Sequence, residues 1–191
     1  MRFYTFDEIN NYALKTRSNS KYYSFDNILN ESLQEQKNRT NFDIFLSHSS
    51  KDKQLTLGVK QLIEDSGYSV YIDWVDDPQL DRANVNAQTA DKLRTRMRQS
   101  KFLVYVDSNN ATTSTWMPWE LGYFDGYKPN KVGILPIRQN AEGSYIGQEY
   151  LGLYPKIEKN SLNVLNELKY AEINGSLFTT YFTKTSGVSL L

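Results

Sequence analysis

Short apolar runs separated by stretches of helical period recur between residues 42 and 137. Residues 42–47 are Phe-Asp-Ile-Phe-Leu-Ser, followed by the polar cluster His48-Ser49-Ser50, and read as a buried strand entering a loop. Asp52 stands where a helix cap is expected, and Leu55, Leu57, Val59, Leu62 and Ile63 repeat at helical spacing until Gly67. Residues 68–72 form a second strand pattern, and 73–84 a polar loop containing Pro78. A helix is predicted over about 86–99, carrying Ala87, Ala90, Leu93 and Met97, and a third strand over 102–106. After the polar loop 107–113 come a short helix over 116–124, which Gly126 is placed to end, and a fourth strand over 132–137.

Strands that alternate with helices in this way predict an α/β fold with a parallel sheet and helices on both faces. The strand runs are apolar throughout, as expected when both faces of the sheet are covered. Upstream, Thr5-x-x-Glu8 has the spelling of a capping box ahead of Ile9, Ala13 and Leu14, and Ser24 is placed to cap a second helix bearing Phe25, Ile28, Leu29 and Leu33. Residues 1–40 are therefore expected to be a helical extension, as a hairpin packed on the main domain or as a partner-binding arm. A last helix is expected over 161–170, and 171–191 form a tail.

Composition narrows the chemistry. The chain of 191 residues has no Cys, which excludes disulfides, thiol nucleophiles and zinc ribbons, and its one His excludes a poly-His metal site. Lys and Arg number 22, as do Asp and Glu, so nothing favours a general polyanion binder. The basic cluster Lys92, Arg94, Arg96, Arg98 and Lys101 is expected to be a solvated helix face, because alternate residues on a helix point to different sides. No stretch approaches the ~20 apolar residues of a membrane helix, and the charged start is unlike a signal peptide. The expectation is a soluble, cytoplasmic protein without nucleic-acid or membrane partners.

Open parallel sheets place their sites at the carboxyl ends of the strands. Here those ends carry Ser47-His48-Ser49, Asp73-Trp74 and Asp107-Ser108-Asn109, and the next helix contains Trp116-Met117-Pro118-Trp119-Glu120. No Gly-x-Gly-x-x-Gly and no Gly-x-x-x-x-Gly-Lys-Ser/Thr occurs, so a Rossmann dinucleotide site or a P-loop is not expected. The pair Gly122 and Gly126 suggests close helix packing. Pro118 is compatible with a helix only if 116–118 form its first turn, with Ser114 as a plausible cap.

Three strings together support a family resemblance. Residues 42–52, FDIFLSHSSKD, resemble the opening strand of bacterial Toll/interleukin-1 receptor (TIR) domains. Residues 68–73, YSVYID, look like the second TIR strand, with 73–85 where the family has its BB loop. Residues 114–122, STWMPWELG, look like the Trp-x-x-x-Glu segment of enzymatic TIR domains. The resemblance covers 41–137 well and 138–170 loosely. It implies a flavodoxin-like open parallel sheet, a TIR domain over 41–170, and cleavage of the nicotinamide–ribose bond of NAD+ to ADP-ribose or a cyclic ADP-ribose-type messenger. It also implies a setting in bacterial anti-phage defence of the Thoeris kind.

That chemistry suits these residues. Nicotinamide in NAD+ leaves as a neutral molecule, so no general acid is required, whereas ordinary glycosidases use two carboxylates. One carboxylate suffices to hold the ribose and stabilise positive charge developing on the sugar. Glu120 matches the family's catalytic Glu. Trp116, one helical turn earlier, is either a pocket wall or a core anchor, and Trp119 is expected in the core. Ser47, His48, Ser49 and Ser50 match a loop that contacts the dinucleotide, with Ser47 alternatively a strand cap. Asp73, Trp74, Asp81 and Arg82 fall in the BB-loop region, where Trp74 is suited to stacking and Arg82 to a phosphate. This loop lacks the family's usual Gly. No cofactor or metal is expected, NAD+ being the substrate. A homo-oligomer through TIR–TIR contacts and an effector responding to the nucleotide product are the implied partners. The alternatives are a non-catalytic TIR assembly module and a nucleoside deoxyribosyltransferase-like enzyme.

Overall fold

The computed structural model describes residues 2–18, 40–77 and 86–159. The helix expected from Ser24, the residues Asp81 and Arg82, the helix expected over 161–170 and the tail lie outside the described residues. In chain order the elements are β1 (Tyr4–Thr5), α1 (Phe6–Ser18), β2 (Phe42–Ser47), α2 (Lys53–Asp65), β3 (Val70–Tyr71) and α3 (Asp73–Asp76). They continue with α4 (Ala87–Arg98), β4 (Ser100–Asp107), α5 (Trp116–Tyr127) and β5 (Val132–Arg138). Single 3-10 turns follow β4 at Ala111–Thr113 and β5 at Glu149–Leu153.

The five strands form one sheet in the order β1-β5-β4-β2-β3, and every pairing is parallel. Alternate residues along each strand feed two separate cores, which explains the unbroken apolar runs. Ile44, Leu46, Val104, Val106, Leu135 and Ile137 pack on one side with Val59, Ile63 and Ile9. Phe45, Leu103, Tyr105 and Ile134 pack on the other with Leu93, Met97, Met117 and Phe124. Helices α1 and α2 thus cover one face and α4 and α5 the other. This is the flavodoxin-like strand arrangement, with the outermost place taken by β1 from the start of the chain.

The N-terminal residues are woven into this body. Thr5 N–H donates to Glu8 Oε2 at 3.0 Å and Glu8 N–H to Thr5 Oγ1 at 3.2 Å, so the capping box forms as spelled. Directly before it, Tyr4 and Thr5 pair with Ile137 and Arg138, a strand the pattern did not predict. The other half of the same β5 edge is occupied by residues 155–157, where Ile157 N–H donates to Ile134 O at 2.7 Å. Tyr4 hydroxyl donates to Lys159 O at 3.0 Å, joining the two edge segments.

Several local expectations change. Gly126 does not end α5, which runs on to Tyr127. Among the described residues a Cβ at Gly122 or Gly126 would meet nothing within 4 Å, so this pair does not serve close packing between them. Pro118 does lie in the first turn, and Ser114 Oγ accepts the Met117 N–H at 3.3 Å. The start of the loop after β3 is helical, as α3. The basic residues of α4 are not a uniformly solvated face. Arg96 grips buried Asp77 through Nε at 2.7 Å and Nη2 at 3.0 Å, Lys92 adds a third contact at 3.0 Å, and the Tyr71 hydroxyl donates to the same carboxylate at 2.9 Å. Although burial opposes ionisation of Asp77, these partners hold its carboxyl below the ordinary range. Among the described residues no helix is long and apolar enough to cross a membrane.

Helices α1 and α2 meet closely at one glycine. A Cβ on Gly58 would fall 2.8 Å from Ile9 Cγ2 and closer still to the Ile9 carbonyl oxygen, which is helix backbone and cannot rotate away. Gly58→Ala is therefore expected to destabilise the fold by ~1–3 kcal/mol, against the usual gain of a helical Gly→Ala change. Chemical denaturation measures it, and an unchanged or higher stability would contradict the close packing.

Candidate active site

The sheet reverses direction of growth between β2 and β4, because β2 connects to β3 on one side and β3 then crosses to β4 on the other. Their carboxyl ends, Ser47 and Asp107, therefore flank the topological position where open α/β sheets bind ligands. The β2–β4 ladder reaches Ser47, which pairs with Tyr105, so this position is backed by sheet.

Helix α5 presents Glu120 to this position. Its side chain is 0% exposed, as is that of Ser47, whose hydroxyl donates to Glu120 Oε2 at 2.6 Å. Trp116, one turn earlier on α5, is 5% exposed and packs in the core of that face. Trp119 stands edge-on to it with ring centroids 5.3 Å apart and stacks on Tyr123 at 5.8 Å; it is half-buried rather than a core residue outright.

His48 is also buried, and both its ring nitrogens are engaged. Nδ1 lies 2.8 Å from Leu46 O, and Trp74 Nε1–H donates to Nε2 at 2.9 Å. A ring that gives Nδ1–H to the carbonyl and accepts at Nε2 is neutral, with its tautomer assigned from these partners. Asp73 Oδ1 is 3.3 Å from the same Nε2, a contact that is an ion pair only with a protonated ring. His48 thus holds Trp74 at the rim, where Lys53 Nζ sits 5.6 Å above the indole ring. Ser49 is buried and Ser50 exposed. The rim therefore unites Ser47, His48, Ser49, Asp73 and Trp74, with Glu120 and Trp116 arriving from α5, while Arg82 lies outside the described residues.

One group at the rim has a role its position did not reveal. Asp52 precedes α2 but makes no side-chain cap. Instead its carboxylate accepts from Ser108 Oγ and Asn110 Nδ2, each at 2.5 Å, and so clamps the loop after β2 to the loop after β4. The polar run at 107–113 was the available signal, since its donors need an acceptor from a facing loop. On the far side, Asp107 accepts from Arg138 Nη2 at 2.5 Å and from the Tyr145 hydroxyl at 3.0 Å. Among the described residues no group of three or more His, Asp or Glu side chains is placed to hold a metal ion. The arrangement offers a fully buried carboxylate, Glu120, beside a hydroxyl, with the buried carboxylates of Asp73 and Asp107 at the same end of the sheet.

Residues 44–163 match the family model described as TIR domain. The chain belongs to the TIR-domain family. A Bacillus cereus (strain MSX-D12) protein named a probable 3' cyclic ADP-D-ribose synthase, ThsB', is 54% identical over 122 residues, which cover 63% of each chain. A Cytobacillus dafuensis protein provisionally named cyclic ADP-D-ribose synthase TIR2 is 34% identical over 87 residues, 45% of this chain and 23% of that one. The match thus spans under two thirds of the length of either relative. The TIR domain of the Toll-related receptor TRR-2 from Hydra magnipapillata aligns with a TM-score of 0.47 at 14% identity, covering 71% of this chain and 100% of that one.

In this TIR domain α3 carries a carboxylate that titrates unusually. Asp76 Oδ2 accepts the Ile72 N–H at 2.6 Å, and burial pushes its carboxyl from the ordinary 3.8 up to about 7, against the pull of that N–H, Lys60 and Arg96. An acid that binds its proton more tightly when folded contributes stability fully below its unfolded pKa and loses it as pH rises toward the folded one. Asp76→Asn keeps an acceptor for Ile72 without the charge. Its thermal midpoint relative to the native chain is expected to be higher at about pH 8 than at about pH 4.5. Melting curves at both values check this, and an advantage confined to acid pH would contradict it.

Proposed function

We propose that this chain cleaves the nicotinamide–ribose bond of NAD+ and closes the remaining ADP-ribose unit into a cyclic messenger. The observation that carries this reading is the placement of Glu120. It is a wholly buried carboxylate, held beside Ser47 at the carboxyl end of the central strands, where a parallel α/β sheet receives its ligand. The names of the Bacillus and Cytobacillus relatives support the cyclase form.

The chemistry follows from the leaving group. When the bond between ribose C1′ and the pyridinium nitrogen breaks, its electron pair neutralises that nitrogen, and nicotinamide departs without a proton. Positive charge is left on C1′ and the ring oxygen. A carboxylate beside the sugar stabilises that charge, most strongly where water is excluded. A nucleophilic oxygen or nitrogen elsewhere on the same molecule then bonds to C1′, and any proton it carries is lost. Exclusion of water from a site as buried as this favours that internal nucleophile over hydrolysis. Trp74, oriented by His48, offers an aromatic face at the rim for a base. No cofactor enters the scheme, since NAD+ is consumed as substrate. The same reading assigns a homo-oligomer through contacts between TIR domains, a separate effector that responds to the product, and a role in anti-phage defence.

Incubation of the purified protein with NAD+, with products separated by mass spectrometry, tests the proposal. The native chain is expected to release nicotinamide and form a product of the mass of cyclised ADP-ribose. Glu120→Gln is expected to lose at least about 100-fold in rate, with its melting temperature nearly kept. Undiminished release by Glu120→Gln would sink the assignment. Base exchange on deoxyribonucleosides with NAD+ untouched would instead select a deoxyribosyltransferase.

A further inference from the structure

We propose that Ser47 is a positioning residue for Glu120: its hydroxyl, fixed at the end of β2, holds the Glu120 carboxylate in the one orientation that faces the reacting sugar. The inference rests on the reading of Glu120 given above and assigns Ser47 a role through that residue rather than a contact with substrate.

Four observations carry it. First, the hydrogen bond from Ser47 Oγ to Glu120 Oε2 is 2.6 Å long, in the short range of a hydroxyl donating to a carboxylate oxygen. Second, both side chains are 0% exposed, so bulk water does not compete for either group. Third, the two partners come from different elements, 73 residues apart in the chain. The bond therefore ties α5 to the sheet and does more than satisfy a local turn. Fourth, Ser47 is backed by the central ladder, where it pairs with Tyr105 on β4, so its Cα has no freedom to follow a drifting partner.

A hydroxyl has one proton to give. Ser47 gives it to Glu120, which leaves Ser47 no donor for a ribose hydroxyl. A glutamate has three side-chain torsions, and a carboxylate that samples several rotamers spends only part of its time facing C1′. Anchoring one oxygen removes that loss before substrate arrives, which is how preorganised electrostatic groups gain their effect. The other acids of the rim are occupied by different partners: Asp52 by Ser108 and Asn110, Asp107 by Arg138 and Tyr145, and Asp73 lies against His48.

The test compares Ser47→Ala with Ser47→Thr in the NAD+ cleavage assay. Ser47→Ala is expected to lose about 10-fold or more in kcat while KM stays within about twofold, the signature of an interaction that matters at the transition state. Ser47→Thr restores a hydroxyl in a residue that strands favour and is expected to recover kcat to within about threefold of the native chain. Should Ser47→Ala not fold, Ser47→Cys keeps the volume with a far weaker donor and is expected to show the same loss. Native kcat in the Ala or Cys variant, or a loss in Thr as deep as in Ala, would overturn the inference. If Glu120→Gln is inactive while Ser47→Ala retains native kcat, only the positioning role falls. If Glu120→Gln is itself active, the functional reading falls first.

Discussion

The parallel ladder between β2 and β4 is the constraint on which the rest of the molecule depends. Strands adjacent in space but separated in sequence by a crossover to β3 leave a gap between their carboxyl-terminal loops. The ladder carries Phe42 to Ser47 against Ser100 to Tyr105, so both strands arrive at that gap in a fixed register. Everything with chemical potential is then hung from its rim. Ser47 ends one strand, Asp107 ends the other, and α5 returns over the opening with Glu120.

The rim is made rigid by carboxylates that serve as cross-braces. Asp52 joins the loops after β2 and β4, Asp107 ties β4 to Arg138 and the Tyr145 loop, and Asp77 pins the end of α3 to Arg96 of α4. The two buried ones, Asp77 and Asp107, meet a guanidinium, which offsets the cost of placing charge away from water. Glu120 meets the Ser47 hydroxyl instead. A hydroxyl that donates to a carboxylate fixes the direction in which its oxygen lies.

Much of this was legible in the chain because the central strands are buried on both faces. Their apolar runs, interrupted by helical periods, specify a doubly covered parallel sheet, and the topology then places Ser47, His48, Asp73 and Glu120 at one edge. What was not legible depends on partners distant in sequence. Strand β1 is two residues long and hides inside a capping-box motif; it exists because the outer edge of β5 needs a partner. Asp52 has the residue type and position of a helix cap, yet donors from a loop 56 and 58 residues away take its oxygens. Gly122 and Gly126 have a packing motif's spacing on a helix face that none of the described residues covers. Arg96 reads as a solvated cation until Asp77, 19 residues earlier, is placed beneath it.

Burial of Glu120 bears on which product is favoured. A carboxylate at 0% exposure stands in a region of low dielectric, where its attraction for an oxocarbenium-like sugar is strong and bulk water is scarce. Hydrolysis needs a water molecule positioned against C1′, and the glycosidases that use one reserve a second carboxylate to activate it. Two polar groups of the rim are already engaged: His48 with Leu46 O and Trp74, and Ser47 with Glu120. On the proposed reading, with no activating base assigned to water among the described residues, the competing nucleophile is the one the substrate carries. Capture by that group is favoured by proximity, which for well-oriented intramolecular reactions reaches effective concentrations of about 10⁵ M or more. On the proposed reading, a buried acid held by a hydroxyl suits ring closure better than hydrolysis.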